Sequence, residues 1–259
     1  MNLRNQVIFI TDADQPSGRA LSLRLAQEGA RLALNSPSGG AAIGEELTTA
    51  RAAGASIHLL QLDLCSRKAL AESLDHLEAE LGPVSLLVHN QQRYEATSIE
   101  ECTEELFLEV VDTNAKSAFL CTQVIGGRMA ERGSGTILYV TSIHAEKPTG
   151  ASFVYSASQG AIQMLAAEAA LALGRRGVRV NTVELAPVAG AEDLLSSSIS
   201  TLYDDYSRKA PLQTAKARDL AELALFLSGD EAGALHGATI RLDGGFLLHY
   251  MDHKKKPAP

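Results

Sequence analysis

The sequence has no tryptophan and only three cysteines. Cys65, Cys102 and Cys121 are scattered, without the spacing of metal ligands or of a disulfide framework. We therefore expect free thiols, no metal site and a reducing, cytoplasmic location. The apolar run that follows Asn5 is only a few residues long, too short for a signal peptide or a membrane span.

Basic residues are also in deficit, since 23 Lys and Arg against 31 Asp and Glu leave a formal net charge of −8. This balance argues against nucleic acid or an anionic membrane as the main partner. A hydrophobic content of 46% over 259 residues supports a substantial buried core. No shift in composition marks a boundary, so we expect one domain over residues 1–259, with a polar, proline-rich tail at about 250–259 that is disordered.

Short apolar runs alternate with helical patterns along the whole chain. The runs that predict strands are 6–10, 31–35, 57–62, 84–90, 136–142, 178–183 and 238–245. The patterns that predict helices are 18–30, 43–54, 70–81, 104–132, 155–175 and 219–227. Strands that alternate with helices imply an α/β fold of Rossmann type, with one doubly wound parallel sheet and helices on both faces.

A serine and a tyrosine mark the centre of the chain. Ser142 ends an apolar run, and Tyr155 opens a helix thirteen residues later. Tyr155 and Gln159 are four apart, so they share one face of that helix. This arrangement resembles the short-chain dehydrogenase/reductase family. There the tyrosine exchanges the proton, the serine polarises the substrate oxygen, and a lysine lowers the tyrosine's pKa and holds the nicotinamide ribose. Gln159 stands at the lysine position.

The resemblance extends over about residues 3–248, with landmarks in the family's order. It implies NAD or NADP as cofactor, with these residues at its site: Thr11, Asp12, Pro16, Gly18, Asp63 and Asn90. It implies Asn114, Ser142, Tyr155 and Gln159 as the catalytic positions, and no metal. In the family, the residue at Asp63 binds the adenine amino group.

The nucleotide loop departs from the family's Thr-Gly-x-x-x-Gly-x-Gly, because Asp12 and Pro16 replace the first two glycines. Those glycines let the backbone approach the pyrophosphate, which binds at the helix N-terminus. A carboxylate about 6 Å from a phosphate charge costs on the order of 3 kcal/mol at an effective dielectric of about 20. Two interpretations stay open. Asp12 or Asp14 caps the helix, which then binds nothing, or a remodelled loop still binds a dinucleotide.

Other positions that face the cofactor in the family are also altered. Gln91 and Gln92 replace Ala-Gly and bring bulk to the adenosine ribose site. Leu185-Ala186 replace the Pro-Gly pair beside the nicotinamide. Residues 35–37, at the end of the second strand, include neither an acidic nor a basic side chain, so the choice between NAD and NADP stays open.

The glutamine at position 159 affects the proton chemistry most. A free tyrosine has a pKa of about 10, so roughly one part in a thousand is ionised at neutral pH. Glutamine has no charge to change this, and such an acid works poorly near pH 7. Tyr155 is then either a working acid or a remnant bonded to Ser142. His144 is either a replacement base in the same pocket or a surface residue.

Together these changes predict weak or lost nucleotide binding and impaired or absent redox activity, as in a binding or structural subunit. One alternative is an active NAD(P)-dependent oxidoreductase for a carbonyl or hydroxyl substrate, with an unusual cofactor mode. Another is non-redox acid/base catalysis by Ser142 and Tyr155. The apolar helices at 104–132 and 155–175 predict a homo-oligomer, most simply a tetramer, with a hetero-oligomer containing an active paralogue as the alternative.

Overall fold

The computed structural model describes residues 3–191, 198–204 and 206–251, and its centre is a seven-stranded sheet. The strands are β1 Val7–Ile10, β2 Arg31–Asn35, β3 Ile57–Leu60, β4 Val84–His89, β5 Gly135–Ser142, β6 Val178–Leu185 and β7 Thr239–Leu242. They pair in parallel in the order β3-β2-β1-β4-β5-β6-β7. The predicted doubly wound parallel sheet is confirmed.

Helices connect these strands. They are α1 Pro16–Gln27, α2 Gly44–Ala52, α3 Arg67–Leu81, α4 Glu104–Val111, α5 Ser117–Cys121, α6 Gly127–Arg132, α7 Phe153–Gly174, α8 Tyr206–Lys209 and α9 Ala217–Ser228. The helix predicted over 104–132 is interrupted by π turns at Asp112–Lys116 and Thr122–Gly126. Turns of this kind often occur at functional sites, and the first contains Asn114.

The core lies on both faces of the sheet, because successive strand side chains point to opposite sides. Ile8 and Ile10 of β1 belong to a cluster with α1, α2 and α9. Val7 and Phe9 belong to a second cluster with α3, α5, α6 and α7. The expected placement of helices on both faces is therefore confirmed.

The strand order reverses direction at β1, which lies between β2 and β4. In such sheets ligands bind in the crevice outside the carboxyl ends of the strands at this point. β1 leads into Thr11 and β4 into Asn90, while β5 ends at Ser142 beside them in the sheet order. The fold thus brings the predicted site residues to one edge of the sheet.

The last described residues, Phe246–Met251, form a 3-10 helix. The tail that we expected to be disordered from about 250 is therefore helical at 250 and 251, and its remainder, 252–259, lies outside the described residues. Within the described ranges, no helix combines the length and apolar character needed to cross a membrane.

Candidate active site

Asn90, directly after β4, fastens the loop that follows β1. Its Oδ1 accepts hydrogen bonds from Asp12 N at 2.9 Å and from Thr11 Oγ1 at 3.3 Å, and its Nδ2 donates to Asp12 O at 2.7 Å. The Thr11 hydroxyl in turn accepts from Asn90 N at 2.9 Å. These three predicted cofactor residues therefore meet, and they shape the loop through bonds to one another.

Two further positions explain how α1 starts against this loop. A Cβ on Gly18 would lie 2.0 Å from the Asp12 carbonyl oxygen, so a larger residue there would push the helix away. Pro16 lies in the first turn of α1, where its missing N–H costs nothing. The helix begins two residues before the predicted start at 18.

Among the residues that the structure describes, no carboxylate caps the N-terminus of α1. Its N-cap residue, Gln15, makes no side-chain cap hydrogen bond. The Asp12 carboxylate instead accepts from Asp14 N at 3.0 Å. Burial raises the pKa of Asp12 to about 6, although hydrogen bonds from the backbone of Asp14 and Gln15 oppose the shift. The expectation that Asp12 or Asp14 caps the helix is therefore wrong.

Asp14 reaches across to the loop after β2. Its Oδ1 accepts from Ser36 Oγ at 2.6 Å, and its Oδ2 accepts from Ser38 N at 2.7 Å. A carboxylate thus stands at the end of β2, where the local sequence has no acidic residue. Sequence reasoning missed it because the side chain comes from 22 positions earlier in the chain.

A cavity of about 370 Å³ opens beside the start of α1. It is lined there by Gln15 and Ser17, and its wall also includes Gln92, Ser142 and Tyr155. Its volume lies in the usual range for small-molecule sites. The structure therefore joins the predicted anion site and the predicted catalytic pair in one cavity.

Gln159 is fully buried and turns toward β5. Its Oε1 accepts a hydrogen bond from Ser142 N at 3.0 Å. Its Nε2 has no hydrogen-bond partner among the described residues. The glutamine thus holds the end of β5 and brings no positive charge to Tyr155.

Tyr155 starts α7, where the Ser152 hydroxyl accepts from Tyr155 N at 3.4 Å and caps the helix. Its own hydroxyl donates to Gln92 Oε1 at 2.9 Å. Burial raises the pKa of Tyr155 well above its usual value, against a hydrogen bond with Ser142 that lowers it. Tyr155 is therefore a neutral hydrogen-bond donor at physiological pH.

His144 is buried, so the interpretation as a surface residue is wrong. Its Nδ1 lies 2.7 Å from the Lys147 carbonyl, and its Nε2 is hydrogen-bonded to the Tyr203 hydroxyl. A carbonyl only accepts, so these partners assign the proton to Nδ1 and make Nε2 the acceptor. Burial lowers the pKa of His144. Its ring packs edge-on to Tyr155 at 6.4 Å, but both nitrogens have other partners.

Asn114 fastens the segment after β4 to α7. Its Oδ1 accepts from Arg93 N at 2.7 Å, and its Nδ2 donates to Arg93 O at 3.0 Å and to Ser158 Oγ at 2.8 Å. The amide is buried, and it is occupied by the protein itself. Asp63, by contrast, is exposed after β3, where its Oδ1 accepts from Cys65 N at 2.8 Å. In the described part of the chain, no three His, Cys, Asp or Glu side chains gather as a metal site.

A family model described as enoyl-(acyl carrier protein) reductase matches residues 14–247. The chain belongs to the short-chain dehydrogenase/reductase family. It is 28% identical over 248 residues to 3-oxoacyl-(acyl-carrier-protein) reductase of Staphylococcus epidermidis, covering 94% of this chain and 100% of that one. It is also 28% identical to an uncharacterised oxidoreductase of Escherichia coli K12, in a match that covers 94% of this chain and 96% of that one. A short-chain dehydrogenase/reductase structure from Serratia marcescens is similar with a TM-score of 0.84 and 26% identity, covering 95% and 99%.

Members of the short-chain dehydrogenase/reductase family generally use NAD or NADP, and the residues here fit such a cofactor only in part. The uncapped N-terminus of α1 beside the cavity fits a diphosphate. At the catalytic end Gln159 brings no positive charge, its Oε1 is bonded to β5 and Gln92 is bonded to Tyr155, so that within Gln159 only Nε2 is left as a donor for the nicotinamide ribose. Sequence reasoning treated Gln92 only as bulk, and the one signal for its role was a large polar residue in place of glycine.

Proposed function

We propose that this short-chain dehydrogenase/reductase binds carbonyl compounds at Ser142 and Tyr155, with impaired or absent redox activity, and acts as a binding or structural subunit. The observation that carries this proposal is the hydrogen bond from Ser142 N to Gln159 Oε1. It commits the residue at the lysine position to a structural contact. The serine and tyrosine hydroxyls remain beside the cavity as neutral donors.

Two neutral hydroxyls suit a carbonyl oxygen, which only accepts hydrogen bonds. They suit proton abstraction from an alcohol poorly, since Tyr155 with its raised pKa holds its proton at physiological pH. We therefore expect any residual activity to favour carbonyl reduction over alcohol oxidation.

Nucleotide binding is expected to be weaker than about 1 mM, or about −4 kcal/mol. The Asp12 carboxylate lies in the loop that leads into the start of α1. Repulsion of about 3 kcal/mol would weaken binding roughly 150-fold, which takes a site with a Kd of about 10 μM past about 1 mM. Calorimetric titration with NAD⁺, NADH, NADP⁺ and NADPH tests this expectation. Micromolar binding of any of the four would overturn it. The same titrations on Asp12→Asn, which removes only the charge, are the matched control.

A second candidate is a working NAD(P)-dependent oxidoreductase with an unusual cofactor mode. The observation that favours it is the uncapped start of α1, which opens onto the same cavity as Ser142 and Tyr155. Turnover of a panel of ketones with either reduced nucleotide, abolished by Tyr155→Phe, would establish it. The absence of turnover together with measurable ketone binding supports the first proposal.

We further infer that the protein works as a cytoplasmic homotetramer, with assembly alongside an active paralogue as the alternative. Large apolar side chains lie exposed on the helices that the sequence marked for assembly: Phe107, Phe119, Met164 and Leu171. Leu171, at 70% exposure, is the clearest of them. Light scattering on the purified chain tests the homo-oligomer, and a monomer at micromolar concentration rejects it. Co-purification from the native host tests the paralogue.

A further inference from the structure

Gln92 makes two hydrogen bonds across the cavity wall. Its Oε1 accepts from the Tyr155 hydroxyl at 2.9 Å, and its Nε2 donates to the Val140 carbonyl of β5 at 2.9 Å. Both ends of the amide are thus engaged, and the side chain is held in one orientation. Gln92 is nevertheless only half-buried and lines the cavity beside Ser142.

Other hydrogen bonds surround the catalytic pair. His144 N donates to Ser142 Oγ at 3.2 Å, and Ser142 and Tyr155 line the same cavity. Tyr155 donates to Gln92. Because a phenol has a single proton to donate, it cannot give a full hydrogen bond to Gln92 and to a ligand oxygen together.

We propose that Gln92 is a specificity-determining latch, whose amide oxygen holds the Tyr155 hydroxyl and must be displaced by the carbonyl oxygen of a ligand. The proposal rests on the proposed function, since it assumes that carbonyl compounds bind at Ser142 and Tyr155. The latch makes weak acceptors poor ligands, because they must replace an amide oxygen, which is itself a good acceptor. It also makes Gln92 a positioning residue for Tyr155 rather than a catalytic one.

Three variants separate the hydrogen bond from the bulk of the side chain. Gln92→Ala removes both, and Gln92→Met keeps the length with only a weak acceptor. Gln91→Ala is the matched control, because it truncates the neighbouring glutamine, whose Oε1 makes no hydrogen bond within the described residues. Thermal unfolding of each variant checks that the fold is retained.

Two readouts are needed. The first is the ¹³Cζ resonance of Tyr155 in protein labelled at its six tyrosines, assigned with Tyr155→Phe. This shift reports the partner of the hydroxyl without any ligand. The second is the Kd of cyclohexanone, measured from the movement of the same resonance. We expect the Tyr155 signal to move in both Gln92 variants and cyclohexanone to bind roughly three- to tenfold more tightly, as the loss of one competing hydrogen bond implies. Gln91→Ala should match the parent in both.

An unchanged Tyr155 resonance in Gln92→Ala would overturn the latch, whatever the Kd of cyclohexanone is. Two results for cyclohexanone affinity would also overturn it. One is an equal gain in Gln92→Ala and Gln91→Ala, and the other is a gain in Gln92→Ala with none in Gln92→Met. In either case the loss of side-chain bulk alone would explain the tighter binding. If the resonance moves but no variant binds cyclohexanone, the hydrogen bond is real. In that case the proposed function fails, and with it the role of Gln92 in ligand selection.

Discussion

Asp12→Asn is expected to stabilise the protein at neutral pH but not in mild acid. The Asp12 side chain is buried in the loop after β1, where its carboxylate accepts from Asp14 N at 3.0 Å. Asparagine has nearly the same shape, and its Oδ1 can accept the same hydrogen bond. It lacks the charge, however, and burial penalises only the charged form.

The sign and the size of this stability difference follow from the pKa of Asp12. Burial raises the pKa of Asp12 from 3.8 to about 6, so the folded protein keeps a proton that the unfolded chain releases between these values. The stability that this proton contributes is fully present below the unfolded pKa and is lost as the pH rises through about 6. A shift of about two units corresponds to roughly 3 kcal/mol. The advantage of Asp12→Asn should therefore grow by about 3 kcal/mol between pH 4 and pH 8.

Urea unfolding of parent and variant at several pH values measures this difference. Protein concentration must be equal throughout, because the stability of an oligomer depends on it. Glu72→Gln on α3 is the control, since that exposed side chain pairs with Lys68 on the same helix and its replacement should change stability by less than about 0.5 kcal/mol. If the curves of Asp12→Asn and the parent run parallel from pH 4 to pH 8, burial does not penalise the Asp12 charge.

Three other changes have defined outcomes. Gln159→Lys leaves Ser142 N without its acceptor, so urea unfolding should show a loss of at least about 1 to 3 kcal/mol, and a ketone assay should show no reduction. Burial lowers the pKa of His89 to about 3, so the stability contributed by its neutral ring is present above about pH 6.5 and is lost as the pH falls toward 3. Urea unfolding should show that the parent loses on the order of 5 kcal/mol of its free energy of unfolding in acid. The His89→Asn variant should not show this loss. Leu171→Glu should lower the molar mass found by light scattering, because it places charge on an exposed apolar helix face.

The fold was predictable because its signals are local. Apolar runs and helical stripes are properties of neighbouring residues, and they located all seven strands to within a few positions. The start of α7 was also predicted to within two positions, at residue 155 against the observed Phe153. The π turns around Asn114 were not, because a π turn follows the same apolar pattern as the α-helix that it interrupts.

The partners of the polar side chains could not be predicted in the same way. Gln92 meets Tyr155 across 63 positions of chain, and no local pattern links them. A glutamine offers a donor and an acceptor, so its identity does not reveal which group it will bind. The sequence could show that Gln159 lacks a charge, but not that its amide turns to Ser142.

Three polar side chains at the site share one physical consequence. Asp14 binds Ser36, Gln92 binds Tyr155, and Gln159 binds the backbone of Ser142. A buried polar group without a partner costs about 1 to 3 kcal/mol, so a site that awaits a ligand gains from binding by satisfying such groups. Here internal hydrogen bonds already engage the Asp14 carboxylate, the Gln92 amide and Gln159 Oε1, although Gln159 Nε2 has no partner among the described residues. A ligand must compete with these internal bonds. The bonds of Gln92 and Gln159 both end on the Ser142–Tyr155 pair, so their energies are coupled. Replacing one of these glutamines by the family's residue therefore leaves the hydrogen bond of the other glutamine in place.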